Sequence, residues 1–320
     1  MNNKHNALPI LAGLVSAAIF GLSFLFSKMG LNAADTFELL SFRFLTAFLI
    51  MSALIIFKVI KVNYKGKNIK GLLLLGLMEP IVYFIFETYG IKFSSSSIAG
   101  LMISLIPIGV AILSAYFLKE KPSAMQLLFI IISVSGVMLI GIMGSSNSGS
   151  SSLVGILLLL GAVLSAGMFT ILSRRLSRQF TPMELTYAMM TMAAVFFNGV
   201  SIVQHIVNKN LKNYFEPLKN INFIIPIAYL GILSSIVAYF LINYTLSRIE
   251  ASKSAVISNI ATIVSIIAGV ILLKEPFYSY HLIGSIMIIT GVWGTNHYDS
   301  KNTVQPEISQ TAENSTMSNS

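Results

Sequence analysis

The chain has no cysteine, which excludes a disulfide framework and a thiolate metal site. Its four histidines, His5, His205, His281 and His297, are scattered, and no HExxH, GxSxG or P-loop pattern occurs. A zinc-hydrolase centre, a serine-hydrolase elbow and an ATP-driven mechanism therefore lack their residues, and neither metal nor cofactor is expected. Charge is scarce too: Asp, Glu, Lys and Arg make up 10% of 320 residues, too few for a soluble globule. Hydrophobic residues make up 55%, and the mean hydropathy is +0.80.

Uncharged runs cover 20 residues at 8–27, 26 at 93–118 and 52 at 122–173, against the ~20 that one helix needs to cross a bilayer. Ten spanning segments are predicted, at 8–31, 38–57, 71–90, 97–118, 124–143, 153–173, 183–207, 223–246, 253–273 and 279–295. Helix is the assignment because unpaired backbone groups are too costly in lipid, and the segments alternate too little for barrel strands. The first run is long enough to span and is read as a helix, not a cleaved leader. The net charge of +9 comes from cations in short loops, so it sets orientation and implies no nucleic-acid partner. With both termini cytoplasmic in a bacterial-type plasma membrane, 14 of the 21 Lys and Arg residues lie inside.

Sliding the chain by 155 residues lays LMISLIPIGVAILSAYFLKEK, from Leu101, over VISNIATIVSIIAGVILLKEP, from Val256. Both Lys-Glu pairs coincide, as do the later Gly-Val pairs and Tyr89 with Tyr244, and a shift of 146 puts Glu38 on Glu184. The expected fold is all-α integral membrane, with ten transmembrane helices as two inverted five-helix repeats. Residues 1–144 form the first repeat, 145–152 (SSNSGSSS) a flexible linker, 153–296 the second repeat, and 297–320 a disordered cytoplasmic tail. Five crossings per half make the second half enter from the opposite face, an arrangement typical of transporters with a midplane site between the halves.

The chain resembles the drug/metabolite transporter superfamily, specifically proteins with two EamA domains, over roughly residues 8–295. The resemblance rests on LLSFRFLTAF, SSSSIAGLMISLIPIG, LKEKPSAMQ followed by SGVMLIG, and the later LKEPFYSYHLIG and ITGVW. The second half departs from it at Thr262, where the first has Pro107. What the resemblance implies is export or import of small metabolites, including amino acids.

Ionisable residues inside the membrane are candidates for function. Glu79, 11 residues before Gly90, lies ~16 Å along its helix, near the centre of the hydrocarbon core. With no basic residue expected at its depth, the desolvated carboxyl is poised to exchange a proton or meet a cationic substrate group. Tyr83 and Glu87 follow along the same helical stripe, and Pro80 is expected to kink the helix and free the Gly76 carbonyl. Arg43 is expected to pair with Glu87, leaving open whether the pair serves packing or substrate. Pro107 is read as a mid-helix bend with Ser104 one turn before it, while Tyr239, Asn243, Tyr244 and Asn259 supply a neutral polar wall. Glu120 and Glu275, just before helix starts, are assigned structural roles at the helix dipole. Gly13, Gly21, Gly136, Gly141, Gly161, Gly284 and Gly291 are expected to permit close helix contact.

These features favour a secondary carrier of small polar or amphipathic metabolites, amino acids first, exporting by alternating access with proton antiport. An uncoupled facilitator or drug efflux carrier is the alternative. A membrane scaffold or an intramembrane enzyme fits less well, because Glu79 and Glu87 are ~12 Å apart along one helix. The expected partners are a small-molecule substrate, the lipid bilayer and protons, with the chain acting as a monomer or homodimer.

Overall fold

Long apolar segments bring few side-chain partners for their own backbone, so the peptide groups must satisfy one another locally. All regular structure among the described residues is accordingly helical. The computed structural model describes residues 3–93, 105–144, 153–272 and 277–298. The first half comprises α1 (Asn3–Leu31), α2 (Thr36–Ile56), α3 (Lys70–Gly76), α4 (Tyr83–Lys92), α5 (Ile106–Phe117) and α6 (Ala124–Gly144). The second comprises α7 (Leu153–Leu176), α8 (Pro182–Val207), α9 (Ile221–Ala228), α10 (Tyr239–Arg248), α11 (Ala251–Ile257), α12 (Ile260–Leu272) and α13 (Ser279–His297). Among the described residues six stretches are long and apolar enough to cross a membrane: Ala7–Leu31, Thr36–Ile56, Leu153–Leu176, Pro182–Val207, Ile221–Arg248 and Ala251–Leu272.

Several expected segments are interrupted. The one at 71–90 breaks at Glu79, whose backbone is extended at φ −141°, ψ 125°. Residues Tyr229–Ala238, between α9 and α10, wind in wider turns than an α-helix. The segment at 253–273 is divided between α11 and α12 around Ser258 and Asn259. Pro107 does not bend the middle of a described helix. It stands in the first turn of α5, where its missing N–H would have no intrahelical acceptor in any case. Ser104, one turn earlier, lies outside the described residues, as do Glu275 and the linker at 145–152.

Packing repeats between the two halves. Helix α2 lies on α8 and α6 on α13, α4 lies on α7 as α1 does on α10, and α5 lies on α7 as α1 does on α12. Exchanging each element with the one 146 or 155 residues away leaves this set of contacts unchanged. The starts of repeat-related helices are also closed alike. The Asp35 and Thr181 amides donate to Glu38 and Glu184 at 3.0 and 2.8 Å, and the Ser123 and Tyr278 amides to Gln126 Oε1 and His281 Nδ1 at 2.9 and 3.2 Å.

The α6–α13 crossing depends on two repeat-related glycines. A Cβ on Gly136 would lie 2.7 Å from the Gly284 carbonyl oxygen, and one on Gly291 would lie 2.7 Å from that of Phe129. In lipid such close approach is itself a main source of helix association. Helix propensity favours alanine over glycine by about 1 kcal/mol, yet Gly136→Ala and Gly291→Ala are each expected to destabilise the protein. The net loss should be about 1–3 kcal/mol, the range for overpacking. Thermal unfolding in detergent checks the sign.

Candidate functional site

Glu79 is positioned by the break in its helix. Beside the extended Glu79, the Met78 carbonyl accepts both from the Tyr83 amide and from Ser165 Oγ of α7, the latter at 2.6 Å. The Glu79 side chain, 9% exposed, accepts through Oε1 from the Tyr239 hydroxyl at 2.8 Å. That bond joins the break in the first half to the first residue of α10 in the second.

Arg43 is brought beside this pair by α2. It is 4% exposed, and its Nε and Nη2 donate to Ser235 Oγ and Ser234 Oγ, each at 2.9 Å. Its guanidinium carbon lies 5.0 Å from the Phe84 ring centre and 5.2 Å from that of Phe44, a cation–π arrangement on two rings. Two sequence expectations are corrected here. Among the described residues, Arg43 and Glu87 form no ion pair: hydroxyls and aromatic faces occupy the guanidinium, and Glu87 Oε1 accepts from Tyr83 OH at 3.0 Å. Nor does Glu79 lie far from a cation, because Arg43, Glu79, Glu87, Tyr83 and Tyr239 are close enough to interact electrostatically. With the backbone extended at Glu79, depth along one straight helix does not predict which side chains its carboxyl meets.

Ser234 and Ser235 were not among the expected site residues. A signal for them existed: the 155-residue shift lays Glu79-Pro80 on Ser234-Ser235 and Phe84 on Tyr239. The two halves therefore meet through related positions that carry different chemistry, acid and proline on one side and hydroxyls on the other. Arg43 falls on Met189 under the 146 shift, so the charge comes from the first half alone.

The other expected residues lie apart from this cluster or are engaged elsewhere. Asn243 is fully buried; its Oδ1 accepts from Ser173 Oγ at 2.6 Å and its Nδ2 donates to Thr186 Oγ1 at 3.1 Å. It braces α7, α8 and α10 together. Asn259, at the junction of α11 and α12, donates to Ser133 Oγ of α6 at 3.0 Å. Glu120 does meet a helix start, but that of α11: Oε2 accepts from the Ala251 amide at 3.1 Å, and Oε1 from Arg174 Nε at 3.0 Å. Arg174 also donates through Nη1 to the Leu246 carbonyl at 3.0 Å. Among the described residues, a cavity of about 620 Å³ opens at the start of α2 and the end of α8, and one of about 440 Å³ between α5 and α6. Neither is lined by Glu79, whose carboxyl is closed in by the helices around it.

The family model described as the EamA-like transporter family matches residues 7–142 and 153–296. The Bacillus subtilis protein named "Uncharacterized transporter YcxC" is 40% identical over 304 residues, covering 95% of this chain and 97% of its own. An Archaeoglobus fulgidus protein named "Uncharacterized transporter" is 28% identical over 279 residues, covering 87% of this chain and 95% of its own. A solved crystal structure with 16% sequence identity superposes with a TM-score of 0.75 over 91% of this chain and 99% of that one, a likeness of fold alone. With its family model matched on both sides of the linker, the chain belongs to the EamA-like transporter family.

Proposed function

We propose that this protein is a secondary carrier of small polar or amphipathic metabolites, amino acids or related compounds first, which it exports in exchange for protons. Ten spanning segments, arranged as two inverted five-helix halves in a plasma membrane with both termini inside, provide the alternating-access frame. The unchanged contact set on exchanging the halves supports that frame.

The observation that carries the reading is the Glu79–Tyr239 hydrogen bond, 2.8 Å long and buried between the halves beside Arg43. A carboxyl at a helix break, held by a partner from the opposite half, is placed to sense their relative movement. It can take a proton when exposed to one side and give it up on the other. The neighbouring hydroxyls of Ser234, Ser235 and Tyr83, with the Arg43 fork, offer donors for a substrate carboxylate, and Glu79 or Glu87 can meet an amino group. In the closed arrangement these groups satisfy one another. A substrate would therefore replace internal hydrogen bonds, and the bare cluster need not remain open.

Counterflow in sealed proteoliposomes tests the function. Preloaded unlabelled metabolite should draw labelled metabolite inward above its equilibrium level, and an imposed pH gradient should do the same without preloading. Screening amino acids first, a chain that equilibrates label under neither condition is not a carrier of that class. Counterflow without any response to the pH gradient would favour an uncoupled facilitator.

A further inference from the structure

Glu38 and Glu184 occupy the same place in the two halves, 146 residues apart, in the first turns of α2 and α8. With one carboxylate oxygen closing its own helix start, each also meets a basic group from the opposite half. Lys67, between α2 and α3, brings Nζ to 2.9 and 2.7 Å from the two oxygens of Glu184. At the other end of the bundle, His205 in the last turn of α8 brings Nε2 to 3.0 Å from Glu38 Oε1. A lysine ammonium keeps its charge across the physiological range, whereas histidine is the side chain whose ordinary titration falls within it. Repeat-related carboxylates therefore hold a permanent cation at one end and a titratable one at the other.

The hydrogen bonds fix the number of protons at the second site. His205 Nδ1 lies 2.9 Å from the Ser201 carbonyl oxygen, which can only accept, so Nδ1 carries a hydrogen. Glu38 Oε2 is already engaged by the Asp35 amide. A 3.0 Å approach of Nε2 to Oε1 then requires one proton between them. Without that proton, a nitrogen lone pair faces a carboxylate oxygen and the contact turns repulsive. The Tyr214 ring closes another side of the imidazole at 5.3 Å. Glu38 and His205 also line the cavity of about 620 Å³, together with Asn210, Asn213 and Asn220, which gives water a route to the pair. Among the described residues, Glu216 and Lys219 line the same cavity and pair with each other at 2.9 Å, Asp35 stands at the start of α2, and Lys209 and Lys212 follow α8 in sequence.

We propose that Glu38 and His205 form a proton-binding clasp that ties α2 to α8 at the end of the bundle away from the N-terminus, and that losing its proton lets these helices part. The sign follows from linkage: a contact that needs the protonated histidine is complete at acidic pH and is lost as pH rises. The proposal stands on this geometry and is independent of the role given to Glu79.

The absence of cysteine makes the test direct. Ser201, one turn before His205, is fully buried, so a thiol introduced by Ser201→Cys reacts only when the packing around this turn of α8 opens. In the full chain in lipid nanodiscs, thiosulfonate labelling is compared with that of the same chain also carrying His205→Lys, which keeps the cation at every pH. The ratio of the two rates cancels the thiol's own ionisation. It is expected to rise by about fivefold or more between pH ~5.5 and ~8.5, and a ratio flat to within about twofold overturns the proposal. Nitrogen NMR of the histidine side chains in the unsubstituted chain gives a second reading. His205 should carry hydrogens on both ring nitrogens when the clasp is closed and retain Nδ1–H when it opens. A neutral ring with its hydrogen on Nε2 contradicts the proton count and overturns the proposal equally.

Discussion

Glu79→Gln should abolish the response of transport to a pH gradient while leaving the protein folded. The amide oxygen still accepts from Tyr239, and the break in the backbone does not depend on the carboxyl proton. On the proposed reading, what is lost is proton exchange at the junction of the halves. In proteoliposomes, gradient-driven uptake should fall by about tenfold or more, equivalent to ~1.4 kcal/mol in the driven step, while counterflow at equal pH stays within about threefold of the parent. Glu79→Asp keeps an exchangeable proton but shortens the reach to Tyr239, so it should retain coupling at a lower rate. Unchanged pH dependence in the Gln variant would remove proton carriage from Glu79 and leave the substrate-contact reading to be tested alone.

The second large effect is expected at Arg43. Truncation to alanine strands the hydroxyls of Ser234 and Ser235, uncovers the Phe44 and Phe84 faces and takes the nearby positive charge from Glu79 and Glu87. Breaking a buried charge cluster by removing one member costs about 3–5 kcal/mol, well above the ~1–3 kcal/mol for removing the hydroxyl partners. Arg43→Ala should therefore lower the melting temperature in detergent markedly more than Ser234→Ala with Ser235→Ala. Arg43→Lys should be intermediate, because an ammonium lacks the planar fork that reaches both serines. Equal melting temperatures for Arg43→Ala and the parent would show that the cluster contributes nothing to the fold.

The helical character and the repeat were legible because both are carried by composition and spacing. Uncharged runs imply helices wherever lipid withholds hydrogen bonds, and the shifts by 155 and 146 residues place Gly136 and Gly291, and Glu38 and Glu184, at corresponding contacts. Glu79 was legible as an isolated acid beside a proline. Its bond to Tyr239 was not, because direction beyond Glu79 depends on backbone angles that hydropathy does not encode. For the same reason depth along an ideal helix paired Arg43 with Glu87, where the guanidinium is taken by two serines that carry no charge to attract notice. Pro107 was expected at mid-helix and stands in the first turn of α5, because hydropathy alone does not mark where a helix starts. Glu120 was linked to the start of the helix that follows it in sequence, whereas its carboxylate meets the start of α11, distant in sequence.

The unequal halves described around Glu79 and Arg43 separate architecture from chemistry. Two copies of the C-terminal repeat, residues 153–296, joined head to tail, would retain related glycine crossings and hydroxyl pairs but would place methionine and serine where the natural chain has arginine and glutamate. Such a duplicated chimera would be a scaffold without an ionisable heart, so the chemistry particular to this protein resides where its two repeats differ.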